Sequence, residues 1–331
     1  MELISYNPSQ NGTSQTHALT VAAKSSEQPQ KPSFIEANTA PIAMQELKQH
    51  HIIPTYRDNT PLISHADFVD VTAETVHKLF SPERISAPDV RVSHPILGRI
   101  PEAKEKALKE LQDWEKTTYY ERMAFVITIP TISDTIGGET VYMSVGGVRK
   151  YDGTSLRPGA DQHFRIFAGY QVKVCCNLCV WTDGMLSNVK VKTIGQLKEA
   201  IYGLLCEYDA IQQLRRMEAM LQYSLTERQV AQFLGKARMY QYLPNAMRQL
   251  YPEFLFTDTQ LNSVAKDYYS CEIFGREHSG ELSLWKLYNL LTASNKSSYI
   301  DLFLQRAANA SSFVGSLASA IQSQNYHWFL Q

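Results

Sequence analysis

Alternating apolar and polar side chains mark the middle of the chain, between residues 123 and 192. The alternation is clearest at Phe164, Ile166, Ala168, Tyr170, Val172 and Val174. A period of two residues is typical of a strand with one buried face. The apolar run at residues 124–129 indicates a buried strand, and Asp183 followed by Gly184 is a strong signal for a turn between two further strands. The pattern predicts an antiparallel sheet.

From residue 194 to residue 331 the apolar positions take the spacing of helices. Thr226 with Gln229, and Thr257 with Gln260, have the spacing of a capping box, which marks a helix start. Apolar residues follow each pair at the offsets of a single helix face. This part of the chain is therefore expected to be a mostly helical region packed on the sheet.

Between residues 46 and 125 the signals are mixed. Residues 62–65 favour a short strand, and Thr72 is a suitable N-cap for a helix. Residues 91–95 are expected to be extended, because the residue before a proline avoids the helical region. Pro101 suits the first turn of a second helix, which the pattern extends to about residue 117.

The first 45 residues are polar and contain proline, with few large apolar side chains. Such a composition does not offset the entropy lost on ordering, so we expect a disordered tail. The predicted organisation is a tail over residues 1–45, an α+β domain with an antiparallel sheet over residues 46–193, and a helical region over residues 194–331. The predicted fold class is α+β.

The composition narrows the class of function. Of the 331 residues, 44% are hydrophobic and 20% charged, which supports a core and excludes general disorder. The formal net charge of -1 excludes a protein that coats nucleic acid through an overall basic excess, so any such surface has to be a local patch. No stretch reaches the roughly 20 apolar residues of a membrane span and no targeting segment is recognisable, so we expect no membrane partner and a cytoplasmic location.

The five cysteines give no sign of a disulfide framework. Cys176 and Cys179 have the spacing of a zinc knuckle or a redox pair. A structural zinc site needs four ligands, and the other candidates, Cys206 and Cys271, stand alone. A redox thiolate is usually stabilised at the start of a helix, whereas this pair lies in a strand pattern. We expect buried thiols, with no metal and no cofactor; a metal or redox role is the alternative.

Arg91, His94 and Arg99 bracket a segment that contains no acidic residue. Two guanidinium groups and an imidazole match the oxygens of a phosphate, so these three residues form a candidate anion site. The alternative is that the arginines pair with acidic residues of the following segment, such as Glu102 and Glu105.

The most unusual segment begins with Gly146 and Gly147, after a predicted strand. Paired glycines permit a bulge or a close approach of the backbone to another group. Arg149, Lys150 and Tyr151 follow, and cations beside an aromatic ring suit a single-stranded nucleic acid, whose phosphates meet the charges while its bases stack. A hairpin connection without any ligand is the favoured interpretation of this segment, and nucleic-acid binding is the alternative. The candidate nucleic-acid-binding residues are Arg149, Lys150, Tyr151, Arg165 and Lys173.

Several segments occur in the order typical of one protein family. They are ISH at 63–65, RVSHP at 91–95, GRIPEA at 98–103, YYERM at 119–123, GGVR at 146–149, NLC at 177–179, TDG at 182–184, LWKLYNLLT at 284–292 and NKSSYID at 295–301. In these segments the chain resembles an uncharacterised domain-of-unknown-function family carried on bacterial conjugative and phage-like mobile elements, and more distantly a phage- and plasmid-like family. The resemblance implies mobile-element biology, and with it DNA metabolism or interference with host defence; it implies no catalytic residue.

Three functions are consistent with the sequence. The first is binding of single-stranded DNA by the basic and aromatic residues of the sheet, which are Arg149, Lys150, Tyr151, Arg165, Tyr170, Lys173, Lys190 and Lys192. The second is a regulatory role in which the helical half binds a protein partner. The third is an enzyme, although no Ser-His-Asp set and no flanking pair of carboxylates stands out, so no catalytic residue is assigned. The oligomeric state is left open.

Overall fold

The computed structural model of the protein describes residues 32–50, 63–103, 105–151 and 160–331. All of them fall in one unit, Pro32–Gln331. Their architecture is an antiparallel sheet packed with helices, followed by a helical carboxy-terminal part, so the predicted α+β fold class is confirmed. No helix in these ranges combines the length and the apolarity needed to cross a membrane.

The described residues contain eleven strands. They are β1 (Ala40–Pro41), β2 (Asp89–Val92), β3 (Pro95–Arg99), β4 (Lys116–Tyr120), β5 (Arg122–Ile136), β6 (Glu139–Lys150), β7 (Gln162–Val172), β8 (Leu178–Cys179), β9 (Met185–Val191), β10 (Ser224–Leu225) and β11 (Leu282–Ser283). Seven of them form the main sheet in the order β1-β2-β5-β6-β7, with β7 pairing with both β8 and β9. All of these pairings are antiparallel.

The same ranges contain nine α-helices. They are α1 (Met44–His50), α2 (His65–Leu79), α3 (Ile194–Glu207), α4 (Ala210–Ala219), α5 (Glu227–Tyr240), α6 (Asn245–Arg248), α7 (Asp258–Ser270), α8 (Leu284–Asn295) and α9 (Ile300–Ser323). At the start of α5 the Gln229 N–H donates to the Thr226 hydroxyl at 3.3 Å, and the Thr226 N–H donates to Gln229 Oε1 at 3.0 Å. At α7 the Thr257 N–H donates to Gln260 Oε1 at 3.1 Å. Both predicted helix starts are confirmed.

Apolar layers cover both faces of the main sheet. On one face, α2 and α3 pack on a large core that includes Phe68, Phe125 and Leu197. On the other face, the first half of α9 packs on a smaller core, which consists of Phe34, Ile35, Ala124, Val126, Val148, Phe167, Leu178, Val180, Ile300, Phe303, Leu304 and Ala307. Alternate residues of each central strand therefore enter different cores.

Gly146 and Gly147 lie inside β6, so the interpretation of this segment as a hairpin connection is wrong. A Cβ on Gly146 would lie 2.1 Å from the Phe125 carbonyl oxygen, and a Cβ on Gly147 would lie 2.3 Å from Phe68 Cζ. The two glycines therefore let β5 and α2 come close to the backbone of β6. The expected close approach is present, with protein groups as the neighbours.

The turn at Asp183 and Gly184 does not join a hairpin. It is a short 3-10 turn, and the flanking strands β8 and β9 both pair with β7 rather than with each other. β8 pairs near Tyr170, whereas β9 pairs along the part of β7 that begins at Gln162. The predicted hairpin is wrong because β7 is long enough to offer one edge to two short strands in succession.

The predicted start of the first long helix is also wrong. α2 begins at His65, where Ser64 and Asp67 form a capping box. Residues 63–65 are therefore not a strand, and residue 62 lies outside the described ranges. Thr72 does not cap a helix but lies within α2, where its hydroxyl donates to a carbonyl one turn back at 2.7 Å.

The helix predicted over residues 101–117 does not form in the described part of that segment. Three 3-10 turns precede β4, at Pro101–Ala103, Leu108–Glu110 and Asp113–Glu115. The pattern places Leu108, Leu111 and Trp114 on an apolar stripe; Leu111 is buried, whereas Leu108 and Trp114 are 65% and 71% exposed. Most of the stability of a short helix comes from burying such a stripe, and here two of its three residues are left uncovered.

Part of the predicted tail belongs to the folded unit. Residues 1–31 lie outside the described ranges, but Phe34 is buried 5.9 Å from the ring of Phe303, and β1 pairs with β2. The large core also contains residues from both sides of the predicted boundary at residue 193, such as Ile136 and Leu287. The sheet and the helical part therefore share a core.

Candidate functional site

Five basic side chains gather at one end of the main sheet, on the face that α9 covers. They are Arg122 from β5, Lys150 from β6, His163 and Arg165 from β7, and Lys190 from β9, and we refer to them as the basic cluster. Strand pairing brings them together, because Arg122 is opposite Lys150 and His163 is opposite Lys190.

Strand alternation explains why the cluster shares one face. Val148 is in the smaller core beside α9, and Lys150 follows it two residues later. Arg165 is opposite Val148 and two residues before Phe167, which lies in the same core. Residues i and i+2 of a strand point to the same side. The charged side chains therefore lie on the face of the sheet that α9 covers, just beyond the N-terminal end of α9.

The cluster borders a pocket with a volume of about 240 Å³, which we call the basic pocket. It is lined by Val148, Lys150, His163, Phe164, Arg165, Ser187, Asn188 and Asp301. Five of these residue types can donate hydrogen bonds from their side chains, and Asp301 is the one acidic residue among the eight. Such a set of donors suits an anion.

Two carboxylates partly neutralise the basic cluster. Asp301 Oδ1 lies 2.6 Å from Arg122 Nε, and Asp301 Oδ2 lies 3.6 Å from Lys150 Nζ. The Glu121 carboxylate lies 3.3 Å from an Arg122 guanidinium nitrogen and 3.7 Å from Lys150 Nζ. Arg165 donates instead to the main-chain carbonyl of Asp301. No carboxylate of the described residues pairs with Arg165 or with the exposed Lys190, so the cluster keeps a net positive charge.

A larger groove of about 550 Å³ lies next to the basic pocket, and Ser187 lines both. We call it the α9 groove, because Gln305, Ala308, Asn309 and Ser312 of α9 line it. Its other lining residues are Phe313 of α9 and residues from the turn before β9, from the start of β9 and from positions 252–255.

Hydrogen bonds fix residues 253–255 against α9. Asn309 Nδ2 donates to the Glu253 carbonyl at 2.9 Å, and the Leu255 N–H donates to Asn309 Oδ1 at 2.9 Å. Arg306 Nε donates to the Leu255 carbonyl at 2.9 Å. The groove is therefore a preformed feature of the fold, as ligand sites usually are.

The family model described as "Domain of unknown function, B. Theta Gene description (DUF3871)" matches residues 14–330, nearly the whole chain. The chain belongs to the DUF3871 family. The expected resemblance to a domain-of-unknown-function family is thereby confirmed. No curated protein and no solved structure matches the chain. Because the family description assigns no activity, the function of this DUF3871 protein has to be judged from the chemistry of its site.

Of the five residues expected to bind nucleic acid, the structure brings Lys150 and Arg165 together at the basic pocket. Lys173 is exposed just beyond the far end of β7, about 26 Å along the strand from Arg165. Arg149 and Tyr151 are buried, with 2% and 3% of their surface exposed. These five residues of the DUF3871 protein therefore do not form one surface.

Arg149 and Tyr151 belong to a network that joins α2 to the sheet. The Arg149 guanidinium donates to the Ile63 carbonyl and to Gln162 Oε1, the latter at 2.6 Å. Its Cζ lies 4.4 Å from the ring centroid of Tyr151 and 4.5 Å from that of Phe164, so two ring faces stabilise the charge. Burial lowers the pKa of Arg149 and raises the pKa of Tyr151 to about 12. The network explains why neither side chain reaches the surface.

Sequence reasoning did not single out Arg122 and His163. Their spacing along the strand reveals them. Arg122 lies two residues before Ala124 of the smaller core, and His163 lies two residues before Arg165, so each points to the same side of the sheet as that residue. This spacing is informative only when the element that packs on each face of the sheet is known. The element on this face is α9, which is far away in the sequence.

The three residues expected to bind an anion have separate local environments. Arg91 Nε lies 3.6 Å from Asp89 Oδ1, and Arg99 donates to the Lys106 carbonyl. His94 is exposed between β2 and β3. β2 belongs to the main sheet, whereas β3 pairs with β4 in a separate two-stranded sheet. No hydrogen bond or ion pair within the described residues joins the three, and an anion site there stays a prediction.

All five cysteines are free thiols. Cys176 has a positive φ of 57° between β7 and β8, and Cys179 is buried in β8. Burial raises the pKa of the Cys175 thiol to about 11 and also raises the pKa of Cys179. Raised thiol pKa values make these cysteines weak nucleophiles at neutral pH. Within the described ranges, no group of three or more His, Cys, Asp and Glu side chains is arranged to hold a metal ion.

Proposed function

We propose that this DUF3871 protein binds single-stranded nucleic acid, with the sugar-phosphate backbone in the basic pocket. One observation carries the proposal: three basic side chains, Lys150, His163 and Arg165, line one pocket, and strand pairing places Arg122 and Lys190 beside them. Among the described residues, two carboxylates oppose this cluster. Lys and Arg side chains that neutralise phosphates release condensed counterions, which is the main source of affinity for nucleic acid.

The size and the neutral donors of the pocket support a single strand. A volume of about 240 Å³ equals that of roughly eight water molecules, which accommodates a phosphate and its sugar. Ser187 and Asn188 add uncharged donors of the kind that contact nucleic-acid backbones. The formal net charge of -1 also fits, because the basic surface is local rather than spread over the chain.

The proposal includes a biological setting. Mobile-element biology, which the sequence resemblance implies, creates single-stranded intermediates during DNA metabolism. A protein that binds such intermediates acts in the cytoplasm, and this location is part of the proposal.

A titration with a fluorescent oligothymidylate at about 50 mM and about 200 mM salt tests this function. We expect binding at the lower salt, weaker binding at the higher salt, and weaker binding to a duplex of the same length. Arg165→Ala and Lys190→Ala should each weaken binding and reduce the slope of log K against log salt by about 0.7, the value for one contact to a single-stranded phosphate.

Lys173→Ala is the matched control, because Lys173 is an exposed lysine next to the opposite end of β7. It should leave the affinity unchanged, and circular dichroism should show that all three variants are folded. No binding by the wild-type protein at the lower salt would refute the proposal. An equal loss of affinity in Lys173→Ala would show that the charge effect is not specific to the basic pocket.

A protein partner is the second candidate, and an exposed apolar patch favours it. Met239, Tyr242, Met247 and Leu250 lie close together in sequence around α6, and Tyr242 and Leu250 are 78% and 74% exposed. Clustered exposed apolar side chains are typical of protein interfaces. Sedimentation velocity of the wild type and of Leu250→Ser at several concentrations tests a second copy as the partner. Association that the variant abolishes supports this candidate, and a monomer at every concentration rules out self-association.

A further inference from the structure

The basic pocket and the α9 groove are adjacent, because Ser187 lines both. A third pocket, of about 480 Å³, shares Glu253 and Leu255 with the α9 groove and includes Arg248 in its lining. We refer to these three adjacent pockets as the path; it extends from the basic cluster at one end to another basic side chain, Arg248, at the other.

One face of α9 follows this path. Asp301 lines the basic pocket, and Gln305, Ala308, Asn309 and Ser312 line the α9 groove. Offsets of four, seven, eight and eleven residues from Asp301 lie on a single helix face. At 1.5 Å per residue, Asp301 and Ser312 are about 17 Å apart along the helix axis. That is the length of about five nucleotides stacked at the 3.4 Å spacing of a nucleic-acid strand.

The chemistry changes along the path. Cations dominate the basic pocket, whereas the α9 groove is lined by the hydroxyls of Thr182 and Ser312, the amide of Gln305 and the partly exposed apolar side chains of Met185 and Leu255. Uncharged donors and apolar surface suit the edges and faces of bases better than phosphates. The path thus offers a backbone site followed by a base site.

We propose that a single strand, anchored by a phosphate in the basic pocket, continues along α9 through the α9 groove toward Arg248, with its bases against the groove lining. This inference rests on the proposed function and adds the course and the length of the bound strand. Bases that face the groove lining are not free to pair, so the occupant is single-stranded. The three hydrogen bonds between residues 253–255 and α9 fix the groove in advance, which reduces the ordering cost of binding.

A length series of labelled oligothymidylates, from about two to about ten nucleotides, tests the course of the strand. The affinity of the wild type should rise steeply up to about six nucleotides and then level off, because further nucleotides extend beyond the path. Ser312→Trp places an indole in the α9 groove from an exposed position on α9. It should leave the dinucleotide affinity unchanged within about twofold and weaken the hexanucleotide at least tenfold, as expected for one or two lost base contacts.

Ser319→Trp is the matched control, because Ser319 is exposed on the same helix and is not among the residues that line the groove. It should retain the wild-type length profile, and thermal melts should show that both variants are folded. Identical profiles for the wild type and Ser312→Trp would overturn the strand path while leaving the proposed function intact. If the wild type binds no oligothymidylate of any length, the proposed function itself fails.

Glu253 provides an independent test that does not depend on a bulky substitution. It is exposed and lines both the α9 groove and the third pocket, so its carboxylate lies beside the proposed strand. Glu253→Gln should raise the hexanucleotide affinity about threefold, the scale of one screened charge interaction, and leave the dinucleotide affinity unchanged. Glu272→Gln, at an exposed glutamate outside the groove lining, should change neither. An equal change at both lengths, or none, contradicts the path.

Discussion

Arg149 and Lys150 are adjacent in β6 and face opposite sides of the main sheet. Arg149 is buried against the rings of Tyr151 and Phe164 on the side of the large core. Lys150 is partly exposed on the α9 side and lines the basic pocket. The alternation of side chains along a strand produces this division. One residue of a basic pair is thus part of the folded interior, and its neighbour is available to an anion.

Arg149→Ala is expected to destabilise the protein rather than to weaken nucleic-acid binding directly. The substitution removes hydrogen bonds to three acceptors and the contacts of a buried charge with two rings, which together contribute about 2–4 kcal/mol. Lys150→Ala should change the free energy of unfolding by less than about 0.5 kcal/mol and should weaken oligothymidylate binding. Urea denaturation measures the first quantity, and a fluorescence titration of each folded variant measures the second.

Two outcomes would contradict this division between the faces of β6. One is an equal loss of stability in the two variants. The other is an Arg149→Ala protein of unchanged stability and reduced affinity, which would mean that Arg149 reaches the ligand.

Asp301 is expected to oppose ligand binding, because its carboxylate forms ion pairs with Arg122 and Lys150 beside the basic pocket. Asp301→Asn should raise oligothymidylate affinity about threefold to tenfold and steepen its salt dependence, because Arg122 and Lys150 each lose one of the two carboxylates that pair with them. Asp161→Asn is the control, because Asp161 lies 3.9 Å from Lys192 and outside the pocket lining. Unchanged or reduced affinity in Asp301→Asn would show that the carboxylate positions the two cations instead of competing with the ligand.

The sequence predicts the main sheet because strand alternation is a local property. β7 alternates from Phe164 to Val172 as expected, with its even-numbered residues in the large core. β6 shows no such alternation, since it is buried on both faces; Val145 enters the large core and Val148 the smaller one. A strand of this kind reads as a nearly continuous apolar run, so the sequence does not reveal on which side Arg149 lies.

The candidate site depends on contacts that no local pattern contains. Lys150 and Asp301 are distant in sequence and meet because α9 returns to the second face of the sheet. The helix predicted over residues 101–117 is wrong for a related reason. Periodicity indicates which side of a segment is suited to burial, but it does not show whether any surface is there to cover that side.

Gly146→Ala is expected to destabilise the protein by about 1–3 kcal/mol. The added Cβ would lie 2.1 Å from the Phe125 carbonyl oxygen, a backbone atom that the pairing of β5 with β6 holds in place. Gly203→Ala is the matched control, because a Cβ on this residue of α3 meets no atom within 4 Å. It should stabilise the protein by up to about 1 kcal/mol through helix propensity. Urea denaturation distinguishes the two, and a neutral effect of Gly146→Ala would contradict the close approach.

His327 is expected to make stability depend on pH. Its Nε2 lies 3.1 Å from Ser316 Oγ, and its Nδ1 is buried with no hydrogen-bond partner among the described residues. Burial lowers the pKa of His327 from the usual 6.5. The unfolded chain therefore takes up a proton at a higher pH than the folded protein does. The stability contributed by the neutral ring is fully present above a pH of about 6.5 and is lost as the pH falls below that value.

His327→Gln should remove this part of the pH dependence, because glutamine has no proton to gain. Between a pH of about 7 and about 5, the free energy of unfolding of the wild type should fall more steeply than that of the variant. His278→Gln is the control, because His278 is exposed and should leave the wild-type slope unchanged. Urea denaturation at each pH gives the three curves. Parallel curves for the wild type and His327→Gln would mean that the folded protein protonates this ring as readily as the unfolded chain does, so that burial does not hold His327 in its neutral form.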